Sequence, residues 1–72
     1  MKLISKIRPL IDESGYKRKF IADKLKISVK QLRNYETGHS LIPIDKAYIL
    51  AKIIGKDIND LYEIGEEDEG TN

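Results

Sequence analysis

The sequence contains no cysteine, only two prolines and five glycines, and a single histidine. Without cysteine the chain has no disulfide and no thiolate metal site, so its core has to come from packing alone. Twelve isoleucines and seven leucines, spread from Leu3 to Ile64, supply that core. Because so few chain-breaking residues interrupt them, the composition favours a compact helical domain over a strand-rich one.

Long apolar runs are also missing. No run approaches the roughly 18 apolar residues of a membrane-spanning helix, and the short apolar stretch at the amino end lacks the architecture of a signal peptide. We therefore expect a cytoplasmic protein with no membrane partner. The 72 residues make a single small domain, which buries only roughly 60% of the surface that its unfolded chain exposes.

Groups that perform catalysis or bind metal are scarce. His39 is the only histidine, and a single histidine forms neither a catalytic triad nor a zinc site. The acidic pairs Asp12 with Glu13 and Asp57 with Asp60 lie at predicted helix ends, where capping and the helix dipole explain them. No glycine-rich loop of the phosphate-holding kind is present. We expect a protein that is not an enzyme, has no catalytic residues, and uses no metal or cofactor.

The positive charge is unevenly distributed. The formal net charge is +1, but four of the twelve acidic residues lie in the segment 66–69, so residues 1–65 carry thirteen basic and eight acidic residues. Seven of those bases and only two of those acids lie in residues 16–40. Such a segment is typical of a face that meets phosphate, but a solvated helical surface often has the same composition. Charge alone leaves both interpretations open.

The spacing of apolar residues predicts an all-α bundle of four or five short helices. The first contains Leu3, Ile7, Leu10 and Ile11 and stops near Gly15. Within it, Pro9 either kinks the helix or marks the start of its regular part. Four further helices are predicted at about residues 17–26, 28–37, 43–54 and 56–64. Residues 65–72 have no apolar side chain, so we expect a domain over 1–64 and an acidic disordered tail over 65–72.

The fourth predicted helix is the most apolar. Its stripe repeats at helical spacing through Ile44, Ala47, Tyr48, Ala51 and Ile54. Three further apolar residues, Ile49, Leu50 and Ile53, widen that stripe. We therefore expect this helix to be the most buried of the bundle.

The third predicted helix, "SVKQLRNYETG" at residues 28–38, has two different sides. Ser28 and Gln31 have the spacing of a capping box, which predicts a helix start. The apolar side contains Val29, Leu32 and Tyr35. The opposite side contains Lys30, Arg33, Asn34 and Thr37, with Gln31 at the border. One side is therefore built to pack, and the other consists almost wholly of hydrogen-bond donors.

This donor-rich side suits the major groove of DNA. Arg or Lys matches the acceptors of guanine, and Asn or Gln matches the donor and acceptor of adenine. The alternative is a merely solvated face, but such a face usually carries Glu paired with Lys along the helix. No acid lies on this side, which favours DNA. The connection from the second to the third helix has only two or three residues, so the helices must cross steeply near Ala22, as in a helix-turn-helix.

Two longer stretches, "GYKRKFIADKLKISVKQLRNYETG" and "AYILAKIIGKDINDLY", carry a family pattern. Its matched positions are Ile21 and Ala22, Leu25, Ile27 and Ser28, Leu32, Tyr35, Glu36 and Gly38, then Leu50, Ala51, Lys52, Gly55, Ile58 and Leu61. In this order and spacing, the chain resembles the Cro/repressor-type (XRE family, lambda repressor-like) helix-turn-helix domain over about residues 3–63. No single position is specific, but the ordered set is.

The resemblance implies a compact five-helix fold with the motif at about 18–37 and a recognition helix at about 28–37. It implies a sequence-specific transcriptional regulator of bacterial or phage type, most often a repressor, that binds double-stranded operator DNA as a homodimer on an inverted repeat. By position, base contacts are assigned to Val29, Lys30, Gln31 and Asn34, while Arg33 contacts either bases or phosphate. Phosphate contacts are assigned to Lys17, Arg18, Ser28, Thr37, His39 and Ser40.

Three departures from the family pattern bear on the site. Arg18 stands where the family usually has Gln, so its role is expected to be electrostatic. Lys26 stands where the motif turn usually has Gly, which predicts either a left-handed lysine or a different turn. Ile11 replaces the Arg that often pairs with the third-helix Glu, so Glu36 needs another partner, for which Arg8 is the candidate.

A second function on the same scaffold stays open. In this alternative the chain is an antitoxin-like adaptor that binds another regulator. Its binding surface consists of the apolar fourth helix and, from the fifth, Ile58, Leu61, Tyr62 and Ile64. An exposed apolar patch there, beside a recognition helix whose face is occluded or acidic, would favour this alternative. A DNA-binding protein controlled by a regulatory protein partner combines the two.

Overall fold

The computed structural model describes residues 2–65. Within them the chain forms four α-helices, one 3₁₀ turn and a two-stranded antiparallel sheet. In chain order the elements are β1 (Lys2–Ser5), α1 (Ile7–Ser14), α2 (Arg18–Leu25), α3 (Val29–Thr37), α4 (Ile44–Ile54), the 3₁₀ turn Ile58–Asp60, and β2 (Tyr62–Gly65). The predicted acidic tail lies outside the described residues, except for Gly65, which is the last residue of β2.

The helices end where the sequence places left-handed residues. Gly15, Gly38 and Gly55 have φ angles of 80°, 82° and 70° and follow α1, α3 and α4. Pro9 lies in the first turn of α1, whose N–H groups have no acceptor within the helix, so the proline is accommodated there without interrupting it. Pro43 immediately precedes α4, close to the predicted start.

The prediction of an all-α, five-helix fold is wrong at both ends of the domain. Leu3 lies in β1 rather than in the first helix, and the predicted fifth helix is a 3₁₀ turn followed by β2. The two strands pair with Leu3 opposite Ile64 and Ser5 opposite Tyr62. Each strand alone is four residues long, too short for a periodicity signal. Pairing between the two ends of the chain therefore decides their conformation, and spacing along the sequence cannot reveal it.

Local hydrogen bonds prevent a helix at 56–64. The Asp57 carboxylate accepts from the Asn59 N–H at 2.8 Å, and Asp60 accepts from the Asp57 N–H at 3.1 Å, which closes a capping box around a single turn. The Leu61 carbonyl then accepts from the Lys6 N–H at 2.8 Å. This bond directs the chain into the sheet instead of a further helical turn.

One apolar core lies between the helices. Its fully buried large side chains are Ile7, Ile11, Ile21, Leu25, Leu32, Leu50 and Leu61. Every helix contributes to it, and so does Leu61, which directly precedes β2. Ala22 is also buried, as expected where α2 meets its neighbours closely. None of the described helices is long and apolar enough to cross a membrane.

The predicted stripe of α4 is only partly correct. Ala47, Ala51 and Ile54 are buried, but Ile44 and Tyr48 are 68% and 62% exposed. The helix is apolar around much of its circumference, and it packs on the core through one side only. A small domain cannot cover the remainder, because it has too few elements to surround any helix.

Candidate nucleic-acid interface

α3 is capped at its start and bonded to β1 near its end. At its start, the Ser28 hydroxyl accepts from the Gln31 N–H at 3.0 Å. This is one half of the predicted capping box, and no described hydrogen bond supplies the return bond from the Gln31 side chain. At its end, the Ser5 hydroxyl donates to the Tyr35 carbonyl at 2.7 Å. Leu32 and Tyr35 are buried, so the predicted apolar side does pack.

The turn before α3 contains a left-handed lysine. Lys26 has φ 59° and ψ 45° and is the one residue other than glycine with positive φ in the described part of the chain. Its N–H donates to the Asp23 carbonyl at 3.2 Å, and the Ile27 N–H donates to the Ala22 carbonyl at 3.0 Å. The first of the two predicted alternatives is therefore confirmed, and the carbonyls at the end of α2 are satisfied within a two-bond turn.

A partly buried ion pair, with a buried carboxylate and a half-buried guanidinium, connects the two motif helices. Nε of Arg18 donates to both carboxylate oxygens of Glu36 at 3.0 Å, and Nη2 of Arg18 donates to Glu36 Oε1 at 2.8 Å. The same Nη2 donates to Asp12 Oδ1 at 2.7 Å, which adds α1 to the network. Glu36 is only 6% exposed. Its hydrogen bonds, followed by those of Asp12, raise the pKa of Arg18 above its already high ordinary value.

The partner of Glu36 was wrongly predicted. It is Arg18 of α2, and not Arg8 of α1. The sequence did contain a signal for this partner. Ile11 stands where the family pattern often has the arginine that pairs with Glu36, and Arg18 supplies an arginine on α2 instead. The guanidinium of Arg18 already bonds two carboxylates. Its predicted contact with DNA phosphate stays a prediction.

The outer side of α3 has the expected donor-rich composition. Lys30, Arg33 and Thr37 are exposed, and Gln31 and Asn34 are half-buried. The only acid of the helix, Glu36, is turned into the domain. Within the part of the chain described, neither Lys30 nor Arg33 takes part in an ion pair. Val29 packs partly against the core and is half-buried like Gln31 and Asn34.

The phosphate-contact candidates fall into three places: the start of α2, the start of α3, and the end of α3 with the loop that follows it. Lys17 is exposed and directly precedes α2. Thr37 is the last residue of α3, and His39 and Ser40 lie close to it because the Ser40 N–H donates to the Asn34 carbonyl at 3.1 Å and folds the loop back on the helix. The Ser28 hydroxyl is occupied by its capping bond. What these side chains contact on DNA stays a prediction.

An aromatic stack borders the motif at the start of α2. The Tyr16 and Phe20 rings have centroids 5.2 Å apart and an interplanar angle of 27°. Lys24 Nζ lies 5.5 Å from the Phe20 ring centroid, so one basic side chain of α2 covers an aromatic ring. The sequence did not reveal this stack, although Tyr16, Phe20 and Lys24 are spaced one helical turn apart.

A second exposed surface is apolar. We call it the apolar surface, and it comprises Leu3, Leu41, Ile44, Tyr48 and Ile64. Leu3 and Ile64 are paired across the sheet. The other members border a pocket of about 390 Å³ in which no charged residue takes part. The first condition for the adaptor alternative is therefore met only in part, because Leu61 is buried, Ile58 and Tyr62 are half-buried, and Ile64 alone of the four predicted residues is exposed. The outer side of α3 is neither acidic nor covered by any described residue.

Comparison with known proteins assigns the motif. A family model described as helix-turn-helix matches residues 7–61, from the first residue of α1 to the residue that precedes β2. No curated protein and no solved structure matches the chain significantly. The described residues contain no group of three or more histidine, aspartate or glutamate side chains that could hold a metal ion.

Proposed function

Because this chain belongs to the XRE-type helix-turn-helix family, we propose that it is a sequence-specific DNA-binding regulator of transcription. It is a repressor of bacterial or phage type, it acts in the cytoplasm, and it is not an enzyme. α3 enters the major groove of operator DNA and reads base edges, while residues at the start of α2 and in the loop after α3 hold the phosphate backbone.

The observation that carries this proposal is the separation of charge on α3. Its single acid, Glu36, is buried against Arg18, while Lys30 and Arg33 face outward. A helix that was only solvated would gain from an acid beside these cations. An acid on that side would repel phosphate, so its absence is expected of a helix that lies between two DNA strands.

The proposal includes a two-fold dimer, and the apolar surface supports a second copy as its occupant. Five large apolar side chains that are each more than half exposed lie on this surface, whereas the largest apolar patches on ordinary monomers cover only about 300–600 Å². A stable interface covers about 800 Å² on each partner. An interface of that size would include the polar residues that surround the five apolar side chains. The pocket beside protruding Ile44 and Tyr48 also allows the surface to match a copy of itself.

One experiment tests the proposed function directly. The chain is used to select from random DNA duplexes, and the winning duplex is then titrated with salt. We expect an enriched inverted repeat whose half-sites lie about 34 Å apart, one helical turn. Without enrichment of any sequence, the proposed reading of operator DNA is wrong.

The apolar surface also favours a second candidate function. In it, the surface binds another regulatory protein and the chain acts as an antitoxin-like adaptor. The same selection experiment distinguishes the two functions, because they predict different results. An adaptor enriches no DNA sequence and stays monomeric alone, whereas the proposed regulator enriches an inverted repeat and dimerises at least on DNA.

A further inference from the structure

A polar cleft lies between α1 and α3, beside the outer side of the recognition helix. It has a volume of about 350 Å³ and is lined by Arg8, Asp12, Arg18, Arg33, Glu36 and Thr37. Three of these six residues are arginines, from three different helices. The cleft opens next to Arg33 and Thr37, which are one helical turn apart on α3.

The charges in the cleft are not evenly matched. Arg18 takes both carboxylates, since it bonds Glu36 and Asp12 at 2.8 and 2.7 Å. Arg8 and Arg33 are exposed, and neither has a hydrogen bond or an ion pair with any described residue. Arg18 with its two carboxylates carries a net charge of −1, and the two free guanidinium groups add +2, so the six residues together carry +1. A planar guanidinium binds phosphate oxygens in pairs, so two of them around one cleft suit an anion.

We propose that Arg8 and Arg33 form a clamp for a phosphodiester of the DNA backbone. This inference rests on the proposed function and adds Arg8 of α1 to the interface. It also assigns Arg33 to phosphate and not to bases. The reason is width: a helix with its side chains is about 10–12 Å across, and the major groove is about 12 Å wide. A helix in the groove therefore has phosphates along its flanks, and the cleft opens on one flank of α3.

The test measures salt dependence with Arg8→Ala and Arg33→Ala in the full chain. The logarithm of the DNA binding constant is followed against the logarithm of salt concentration, on a selected duplex and on a random one. Each variant is expected to flatten the slope by about 0.9, the change for one lost phosphate contact, and to weaken both duplexes by a similar factor. Lys52→Ala on the exposed side of α4 removes the same charge elsewhere and is expected to leave the slope unchanged.

A second arm separates DNA phosphate from a free anion. Inorganic phosphate is titrated into the protein without DNA, and the side-chain N–H signals of the arginines are followed by NMR. Shifts at Arg8 and Arg33 that saturate, and that vanish in Arg8→Ala, are expected. If phosphate moves these signals while the DNA slope matches that of Lys52→Ala, the cleft binds free anions and the backbone assignment is overturned.

Two further outcomes also contradict the clamp. If Arg33→Ala changes the preference at a single base pair, Arg33 reads bases. If neither variant differs from Lys52→Ala in either arm, the cleft binds no phosphate. Failure of the proposed function has a different signature, because the unaltered chain then selects no DNA, and saturating phosphate shifts still test the cleft by themselves. Both arginines are exposed, so circular dichroism of each variant is expected to match that of the unaltered chain.

Discussion

α3 and α4 each leave one side uncovered, but the two sides have opposite chemistry. The outer side of α3 carries Lys30 and Arg33 and no acid, whereas α4 exposes Ile44, Tyr48 and Ile49. Neither side is explained by the needs of a monomer in water. A solvated helix gains from mixed charges, and an apolar side chain gains from burial. The proposed function assigns a different partner to each side, DNA to α3 and a second copy of the chain to α4.

The two sides also differ in how they depend on the core. The apolar side of α4 follows directly from its composition. The donor-rich side of α3 depends on removing Glu36 from the surface, and Arg18 does this through a bidentate ion pair. Substitutions that break this ion pair should therefore disturb the donor-rich side of α3 and leave the apolar side of α4 unchanged.

The largest effect is expected for Arg18→Ala. It leaves a buried carboxylate at Glu36 without its cation, and removing one partner of a buried pair costs about 3 kcal/mol of unfolding free energy. Urea denaturation monitored by circular dichroism measures the loss. The double substitution Arg18→Met with Glu36→Leu should recover most of it, because both charges are then removed together.

The control for Arg18→Ala is Lys19→Ala on the same helix. Lys19 pairs with Asp23 at 2.8 Å, but both side chains are largely exposed. Such surface pairs contribute about 0.3–0.5 kcal/mol. If Arg18→Ala costs no more than Lys19→Ala, the ion pair does not stabilise α3, and the buried position of Glu36 needs another cause.

The second-largest effect concerns the apolar side of α4. Ile44→Asp places a charge at the most exposed member of the apolar surface, and we expect it to weaken the dimer by about 2 kcal/mol, the loss typical of an interface hot spot. Analytical ultracentrifugation measures the change in dissociation constant, about 30-fold. Because Ile44 is 68% exposed, the fold of the monomer should persist. Arg33→Ala is the control and should leave self-association unchanged; equal weakening by both would remove the distinction between the two sides.

The third effect tests base reading on α3. Asn34→Ala is expected to cost about 1–2 kcal/mol at one base pair and little elsewhere, as for the loss of an adenine contact. Lys17→Ala should instead weaken all sequences alike and flatten the salt slope. Binding to a panel of duplexes with single base changes separates the two patterns. A uniform loss with Asn34→Ala would show that this residue does not read a base.

The sequence predicted the centre of the domain much better than its ends. The motif helices, the left-handed glycines and the burial of Leu32 and Tyr35 follow from local spacing and end signals, which act over a few residues. The strands do not, because Leu3 and Ile64 acquire their conformation from each other across 60 residues of chain. The network around Glu36 also escaped prediction, since its partner depends on how α2 lies against α3.

The smallest effect concerns how the chain leaves each helix. α4 ends at Gly55 with φ 70°, whereas the helix before α3 ends at Lys26 with φ 59°. A left-handed residue with a side chain costs roughly 1 kcal/mol, and glycine recovers this but adds entropy to the unfolded chain. Lys26→Gly should therefore raise the unfolding free energy by only about 0.5 kcal/mol.

Lys52→Gly is the matched control for this last comparison, because it makes the same substitution inside α4. There glycine costs about 1 kcal/mol, so thermal and urea denaturation should give opposite signs for the two variants. If both variants are destabilised, the left-handed lysine is not strained. Contacts of the Lys26 side chain would then stabilise its left-handed conformation, and the turn before α3 would be no more strained than the turn at Gly55 after α4.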